Sequence, residues 1–362
     1  MRNARPSSLS ARPRARKLQR FLSRAVLFAL FCALAFVPLA SAQRGSLRID
    51  TIDVEGGQAT LIVAPSGHSM LVDTGWPGNN GRDADRILAA MRDAGITRLD
   101  KVFLTHYHID HAGGIPNLLQ RVPVGEFLDH GPNREDSDDT RHNYAVYLQA
   151  IKDKGIPRRI VKPGDTISVP GLSIVVLPAD GAHIHAVPGI TPQPNPYCAS
   201  EHKWPYDPTE NARSAGFLLR YGKFTFLDLG DLTGAKEVAL VCPRNPIGHV
   251  DLYLVDHHGM NLSNSRALVD ALHPTVAIMD NGAHKAGMPE AWQTVHDSPG
   301  LKALYMLHYA EGSDAAHNSA APLIANMPGS PDGAYFKVVA HSSGSFSVTN
   351  TRTGTTVDYP AQ

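Results

Sequence analysis

The stretch that decides the fold is LTHYHIDHAGG, residues 104–114, which places four metal-ligand side chains within six positions. The four are His106, His108, Asp110 and His111, and the pair Gly113-Gly114 follows them. The run DKVFLT before the stretch predicts a buried strand, and residues two apart on an extended chain point the same way. Imidazole and carboxylate groups are the usual ligands of zinc and similar divalent ions. The pattern therefore predicts a metal site on a loop after a buried strand, in preference to a surface loop that is merely rich in histidine.

Residues 1–42 have the composition of a targeting segment. They hold eight basic and no acidic residues, and the apolar run AVLFALFCALAFVPLASA ends in Ala40-Ser41-Ala42. A basic head, an apolar stretch and small residues at its end predict a secretory signal peptide that is cleaved after Ala42. The alternative is an uncleaved membrane anchor. Cleavage would give a secreted or periplasmic protein with no stable membrane span.

The total charge of the chain is zero, but the part that follows residue 42 is acidic. The chain has 34 basic and 34 acidic residues, and eight of the basic ones lie in residues 1–42. The rest of the chain therefore carries an excess of eight acidic residues. Proteins that bind long nucleic acids usually need an excess of positive charge, because contacts with phosphate supply much of their affinity. The composition thus favours a small-molecule substrate over a long nucleic acid.

The chain after residue 46 alternates short strands and helices on both sides of a long loop. The loop, residues 179–210, is rich in proline and has no periodicity, so we interpret it as an excursion over the site. We expect an α/β (α+β) domain over residues 47–310, with C-terminal strands in residues 333–362 packed on the same domain. Cys198 and Cys242 remain after cleavage, and their spacing leaves open whether they form a disulfide.

Three further segments join the histidine-rich stretch in a resemblance to the metallo-β-lactamase fold superfamily. They are SMLVDTG (69–75), FTFLDLGD (224–231) and VDLYLVDHHG (250–259). The resemblance implies a four-layer αββα sandwich. Within the superfamily the chain is most similar to the soluble domains of the ComEC competence type. That likeness rests on the run IDVEGGQATLIVAPSGHSMLVDTG (52–75), on Asn211 with Ser214, and on His257-His258-Gly259.

The resemblance also implies a ligand set for two divalent metal ions, zinc in the first place and manganese or iron as alternatives. His106 and His108 would hold the first ion. Asp110, His111 and His258 would hold the second, and Asp231 would bridge the two. Asp110 and Asp231 would then be the catalytic carboxylates.

Several other residues belong to the implied site with less definite roles. Asn211 stands where a third histidine normally completes the first metal site, and an amide is a weaker ligand for such an ion. Residues that could fill this gap or line the site are His183, His185, His130 and His257, the last also being the runner-up for the place of His258. Asp73 would orient a histidine ligand from behind, although Asp-Thr-Gly is also a good turn.

The expected activity is hydrolysis by a water molecule that the metal ions activate to hydroxide. The sequence contains no G-x-S-x-G motif, so it gives no sign of a serine nucleophile. The ComEC-type likeness favours a phosphodiester or a small phosphorylated substrate. Ester, lactone or β-lactam hydrolysis is the alternative, since one fold hosts all of these activities. A third alternative, which Asn211 supports, is a non-catalytic protein that keeps a degenerate first metal site.

Overall fold

The computed structural model describes residues 45–331 and 333–362, together with Met1 and Asn3. The predicted signal segment, residues 1–42, lies outside the described residues apart from those two positions, and it stays a prediction. Within the described part of the chain, no helix has both the length and the apolar character that a bilayer crossing requires.

The strands of the described residues form two large mixed sheets. In chain order the strands are β1 (Leu47–Thr51), β2 (Thr60–Val63), β3 (Ser69–Val72), β4 (Leu99–Phe103), β5 (Val124–Asp129), β6 (Arg158–Ile160), β7 (Thr166–Ile167), β8 (Ser173–Val176), β9 (Pro178–Ala179), β10 (Ala182–His183), β11 (Gln193–Pro194), β12 (Phe217–Tyr221), β13 (Phe224–Asp228), β14 (Arg244–Asn245), β15 (Leu252–Leu254), β16 (Val276–Met279), β17 (Ala303–His308), β18 (Ile324–Asn326), β19 (Phe336–Ala340), β20 (Phe346–Asn350) and β21 (Thr355–Tyr359). Within residues 45–331 and 333–362, the first sheet has nine strands in the order β21-β20-β19-β1-β2-β3-β4-β5-β6. The second has eight, in the order β18-β17-β16-β15-β13-β12-β8-β7.

Seven α-helices of the described residues cover the outer faces of these sheets. They are α1 (Arg82–Asp93), α2 (Ile109–Ala112), α3 (Ile115–Leu119), α4 (Asp138–Asp153), α5 (Gly234–Val241), α6 (Arg266–Leu272) and α7 (Pro289–His296). The helix α1 buries Ile87, Ala90 and Met91, which are spaced by three and one as one face of a helix requires. The helix α4 begins at a side-chain cap, because the Ser137 hydroxyl accepts from the Thr140 amide.

Alternation along the strands explains why the sheets are stacked. In β8, Ile174 and Val176 belong to the core between the two sheets, whereas Val175 faces the helices of the second sheet. In β4, Phe103 faces the same inner core and Val102 faces α1 and α4. Each sheet therefore has two apolar faces, as strands that are covered on both sides require. The result is the four-layer αββα sandwich that the resemblance implied, and that prediction is confirmed.

The C-terminal strands extend the first sheet. Strand β19 pairs antiparallel with β1, and Val338 lies opposite Ile49 in the register. Strands β20 and β21 continue outward from β19. Residues 333–362 therefore share the nine-stranded sheet with the N-terminal strands, and their side chains Phe336 and Val348 enter the core between the sheets.

The segment 179–210 has more structure than its composition indicated. It contains β10, β11 and a 3-10 helix at Pro196–Ser200, and its start joins β9 to β10 in a small hairpin. Cys198 forms a disulfide with Cys242 at the end of α5, which settles the pairing that the sequence left open. The Asn195 side chain donates to the Val241 and Ala267 carbonyls beside it. Covalent and polar anchors, which periodicity does not reveal, hold this segment.

Candidate metal centre

The predicted ligands meet where parallel strands of both sheets end. In the first sheet β3 and β4 run parallel, and in the second sheet β13, β15 and β16 do so. Asp73 follows β3, the histidine-rich stretch follows β4, Asp231 follows β13, and His257 with His258 follow β15. The carboxyl ends of parallel strands are the usual place for a ligand site in such sheets.

Four of the predicted ligands form one compact buried cluster. Asp110, His111, Asp231 and His258 each offer a ligand atom, and these atoms lie within 4.8 Å of one another. Asp231 Oδ1 is 3.3 Å from His111 Nε2 and 3.4 Å from His258 Nε2. Asp110 Oδ2 is 3.6 Å and 3.5 Å from the same two nitrogens. We call these four residues the second half-site.

The other oxygen of Asp231 faces a different pair of imidazoles. Asp231 Oδ2 lies 3.8 Å from His106 Nε2 and 3.5 Å from His257 Nε2. The His108 ring lies beside that of His106, with 4.7 Å between their centroids. We call His106, His108, His257 and Asp231 the first half-site. The adjacent residues His257 and His258 thus face different oxygens of the Asp231 carboxylate. Each therefore belongs to its own half-site, and the two do not compete for one ligand position.

Asn211 lies beside His257, at the nitrogen of the ring that faces Asp231. Its Nδ2 donates to His257 Nε2 over 3.3 Å, while its buried Oδ1 has no hydrogen-bond partner among the described residues. The third imidazole of the first half-site therefore comes from His257. Asn211 contacts the same nitrogen that faces Asp231.

Each of the five histidines has a polar partner behind it, through a hydrogen bond for four of them and through an ion pair with Asp280 for His258. His111 Nδ1 donates to Asp73 Oδ2 (2.7 Å), His108 Nε2 donates to Glu135 Oε2 (2.8 Å), His106 Nδ1 lies 3.0 Å from Thr105 Oγ1, His257 Nδ1 lies 3.2 Å from Ser263 Oγ, and His258 Nδ1 lies 3.1 Å from Asp280 Oδ1. Partners of this kind fix the tautomer and the ring orientation of metal-binding histidines. Four rings turn Nε2 toward Asp231, whereas the bond to Glu135 leaves Nδ1 of His108 as its ligand nitrogen.

The arrangement fits divalent metal ions. The buried atoms His106 Nε2, Asn211 Oδ1 and Asp231 Oδ1 have no hydrogen-bond partner within the described residues. Buried polar atoms of folded proteins nearly always have one. A donor set of imidazole nitrogens and carboxylate oxygens suits zinc, and manganese or iron can also use it. These three atoms belong to the half-sites or to Asn211 beside them, so a cation there would satisfy them. Other buried atoms of the described residues that lack a partner, such as Thr60 Oγ1 and Ser298 Oγ, belong to residues outside the two half-sites.

Electrostatics within the cluster favour ionised carboxylates. Burial alone would raise the pKa of both Asp110 and Asp231. The neighbouring His111 and His258 outweigh burial and hold the pKa of each carboxyl well below its usual range. Both carboxylates are therefore negative at neutral pH and available as ligands.

The imidazoles divide into protonated and neutral pairs. Burial would lower the pKa of His258, but Asp231 and Asp280 raise it to about 9, and Asp231 with Asp110 raises the pKa of His111 above its ordinary value in the same way. Burial lowers the pKa of His257 to about 4 and that of His106 well below its usual range. Protons therefore occupy the second half-site in the absence of metal, while His106 and His257 are neutral.

The backbone at the centre is strained in a way that places the ligands. Asp73, His257 and His258 have positive φ angles of 55°, 54° and 54°, a region that few residues other than glycine adopt. Each such residue costs on the order of 1–3 kcal/mol, and strain of this kind collects at functional sites. Two successive left-handed residues let His257 and His258 face the same carboxylate. Gly57 is also required, because a Cβ there would lie 2.3 Å from the Asp110 carbonyl oxygen.

Three other histidines named from the sequence lie apart from this cluster. His130 is buried against Tyr107 and donates to Glu210 Oε2 over 2.8 Å. His183 and His185 stack on each other, with 4.9 Å between their centroids, at the end of the β9–β10 hairpin. Neither of these two belongs to the group of ligand atoms within 4.8 Å of one another.

The structure adds residues that the sequence did not indicate. Glu135, Asp280, Thr105 and Ser263 hold histidines, and Lys285 donates to Asp110 Oδ2. Thr105 adjoins His106, and Asp280 directly follows β16, so both lie at strand ends where site residues are expected. Glu135 and Lys285 lie in loops without any motif.

Comparison with known families agrees with this geometry. Residues 52–203 match the family described as the metallo-beta-lactamase superfamily. The chain is 28% identical over 262 residues to recombination protein 2 of Haemophilus influenzae, an alignment that covers 71% of this chain and 26% of that protein. It is 32% identical over 120 residues to the hydroxyacylglutathione hydrolase of Xanthomonas campestris pv. campestris, covering 33% of this chain and 36% of that enzyme. The chain spans about a quarter to a third of the length of these relatives.

Solved structures are similar at lower identity. The metallo-beta-lactamase fold protein YhfI from Bacillus subtilis aligns with a TM-score of 0.43 and 12% identity, over 72% of this chain and 96% of that chain. The diiron beta-hydroxylase CmlA from Streptomyces venezuelae aligns with a TM-score of 0.37 and 18% identity, over 68% of this chain and 46% of that chain.

Proposed function

Because the chain carries a ComEC-like domain of the metallo-β-lactamase superfamily, we propose that it is a secreted metal-dependent hydrolase of a phosphodiester or a small phosphorylated substrate. The relative from Haemophilus influenzae supports the ComEC-type part of this proposal. The acidic excess outside residues 1–42 supports a small substrate rather than a long nucleic acid.

The observation that carries the proposal is the position of the Asp231 carboxylate. Its Oδ1 is 3.3 Å from His111 Nε2, and its Oδ2 is 3.5 Å from His257 Nε2. One carboxylate thus faces two separate sets of imidazole nitrogens, which is the geometry that a bridging ligand of a two-metal site needs. Sites with two metals a few ångströms apart are typical of phosphoesterases and nucleases.

The residues of the chain would divide the work as follows. Divalent ions in the two half-sites would lower the pKa of a water molecule and polarise the phosphoryl oxygen that it attacks. Asp231 fixes the spacing of the half-sites, and Asp110 with His258 keeps the second one in place. Asp73, Glu135 and Asp280 hold the imidazole orientations. Cys198 and Cys242 are joined to each other, so neither thiol of the described residues is a nucleophile.

The disulfide also supports an oxidising location. Disulfides persist in secreted and periplasmic proteins and are rare in the cytosol. The basic and apolar pattern of residues 1–42, ending in Ala40-Ser41-Ala42, leads to the same proposal from an independent part of the chain. We therefore propose secretion or a periplasmic location after cleavage at Ala42.

The test combines metal analysis with a substrate panel. Purified protein is assayed for zinc, manganese and iron, and then for hydrolysis of bis-p-nitrophenyl phosphate, a short single-stranded DNA, a homoserine lactone and nitrocefin, with and without chelator. We expect hydrolysis of the phosphodiester that chelator abolishes, and its loss in His108→Ala. The proposal fails if the protein holds none of these metals and none of them raises its melting temperature. Firm metal binding with no activity on the panel would favour the non-catalytic alternative.

A second candidate is hydrolysis of an ester or thioester, in the same class as lactone and β-lactam hydrolysis. Ile109 and Leu262 are exposed by 40% and 48%. Ile109 lies between His108 and Asp110, and Leu262 adjoins Ser263, which contacts His257. Exposed apolar side chains near a site suit an acyl group. The similarity to hydroxyacylglutathione hydrolase over 120 residues supports the same candidate. Greater chelator-sensitive activity on the lactone than on the phosphodiester would favour it.

A further inference from the structure

A lysine side chain enters the second half-site from a separate loop. Lys285 lies between β16 and α7, and its Nζ donates to Asp110 Oδ2 and to the Gly56 carbonyl, the latter over 2.6 Å. The same ammonium lies 4.9 Å from the centroid of the Trp76 ring. Asp110 Oδ2 is also the oxygen that faces His111 and His258. A cation of the chain itself thus contacts the carboxylate that a metal ion would use.

The approach of the two loops is built into the backbone. A Cβ at Gly56 would lie 2.8 Å from the Gly282 amide nitrogen and 3.1 Å from Lys285 Cβ, and one at Gly282 would lie 2.8 Å from the Glu55 carbonyl. The turn at Gly282 closes through its amide, which donates to the Lys285 carbonyl over 3.0 Å. Glycine is therefore required on both loops for Lys285 to reach Asp110. Such close packing indicates that the position of the lysine is specified.

We propose that Lys285 binds an anionic oxygen of the substrate next to the second half-site. This inference rests on the proposed hydrolase function and narrows its substrate to one that carries a negative charge beside the bond that is cut. An ammonium has three N–H donors, and two oxygens among the described residues accept from it. One donor is left on a side chain that is 33% exposed, so a ligand can reach it.

Metal binding strengthens the case for an anion. A divalent ion on Asp110 would repel the ammonium from that carboxylate, whereas the Gly56 carbonyl and the Trp76 ring would still hold it nearby. Lys285 would then lie beside the metal ions as an additional positive charge that the Asp110 carboxylate no longer neutralises. An anionic group of the substrate offsets that charge, and a neutral ester does not.

The test measures binding of inorganic phosphate to the zinc-loaded protein by isothermal titration calorimetry. The variants are Lys285→Met, Lys285→Arg and the control Lys302→Met, which is exposed and directly precedes β17, far from the carboxyl ends of the strands. We expect Lys285→Met to weaken phosphate binding about tenfold or more, because a charge-assisted hydrogen bond is lost. Lys285→Arg should bind phosphate more tightly than Lys285→Met, and Lys302→Met should match the unmodified protein. Equal phosphate binding by Lys285→Met and the unmodified protein would overturn the inference.

Metal titration supplies the second measurement. Because Lys285 competes for Asp110, Lys285→Met should take up zinc at least as tightly as the unmodified protein. Weaker zinc uptake would mean that the lysine only supports the site, and would overturn the inference. If the unmodified protein hydrolyses nothing but Lys285→Met still loses phosphate binding, the proposed hydrolase fails and the anion site stands. If bis-p-nitrophenyl phosphate is hydrolysed with the same KM by both, the hydrolase stands and the anion site fails.

Discussion

Glu135 Oε2 accepts a hydrogen bond from His108 Nε2 over 2.8 Å, and this pair decides which nitrogen of the ring can bind a metal ion. The other four histidines of the centre present Nε2, whereas His108 presents Nδ1. Burial would lower the pKa of His108, but the bond to Glu135 raises it above its ordinary value. The same bond lowers the pKa of Glu135 to about 2, so the carboxylate is charged throughout the neutral range.

Replacing Glu135 with glutamine should weaken the first half-site. The amide retains the shape of the side chain but loses the charge that orients His108. Loss of such a partner typically costs 10- to 100-fold in metal affinity. We expect a decrease of about that size for the weaker of the two ions, measured by competition with a chromophoric chelator. The exposed Asp139 on α4 gives a matched control as Asp139→Asn, and equal affinities for the two variants would contradict the prediction.

The adjacent histidines should be separable by metal stoichiometry. His257 faces Asp231 Oδ2, and His258 faces Asp231 Oδ1. Each of the single variants His257→Ala and His258→Ala should therefore lose one of two tightly bound ions, and the double variant should lose both. Metal content after gel filtration measures this, with the exposed His142→Ala as a control. Two ions retained by His257→Ala would remove that residue from the first half-site.

Metal affinity should rise steeply with pH. The pKa of His258 is raised to about 9, so below that pH a proton occupies the nitrogen that an ion needs. Displacing one proton changes the apparent affinity about tenfold per pH unit, in the direction of weaker binding as pH falls. Chelator competition between pH 6 and 9 measures the slope. A flat profile would show that His258 is not protonated in the metal-free protein.

The metal-free protein should show the opposite dependence in its stability. A histidine whose folded pKa is raised stabilises the fold fully below its unfolded pKa of about 6.5. That contribution is lost as pH rises toward 9, the folded pKa of His258. We therefore expect the melting temperature of chelator-treated protein to fall across this range, while that of zinc-loaded protein does not. Parallel curves for the two forms would contradict the assignment of the proton to the metal-binding nitrogen.

The disulfide should contribute substantially to stability. Cys198 and Cys242 are separated by 44 residues. Closing a loop of that length lowers the entropy of the unfolded chain, which raises its free energy by about 4 kcal/mol at 25 °C. We expect the double variant Cys198→Ser with Cys242→Ser to lose about 2–4 kcal/mol of unfolding free energy in urea denaturation. A reductant should destabilise the original protein and leave the double variant unchanged. Equal stabilities would show that packing alone holds the loop.

The sandwich and the similarity to the metallo-β-lactamase superfamily were predictable because their signals are local. Alternating runs such as those around Phe103 and Ile174 specify strands with two buried faces, and four short motifs carry the similarity. The histidine-rich stretch likewise contains its ligands within six positions. These features depend on neighbours in sequence, which a single chain displays directly.

The rest of the centre depends on tertiary contacts. Adjacent side chains normally diverge, so the sequence offered His257 and His258 as alternatives, and only their left-handed backbone brings both to Asp231. Glu135 reaches His108 from 27 residues away, and Lys285 reaches Asp110 from 175 residues away, each on a loop without a pattern. The length and composition of segment 179–210 predicted a loop, but its anchors lie in α5 and α6.

Asp73 accepts from His111 Nδ1 over 2.7 Å and from the Thr105 hydroxyl over 2.6 Å, and the same hydroxyl lies 3.0 Å from His106 Nδ1. One buried carboxylate therefore orients an imidazole in each half-site without contacting the place of either ion. Substitution of His257 or of His258 would produce a one-metal version of this protein, whereas substitution of Asp73 would not. A change there would reach both halves together, which makes Asp73 the position least open to substitution when the centre is redesigned for another metal.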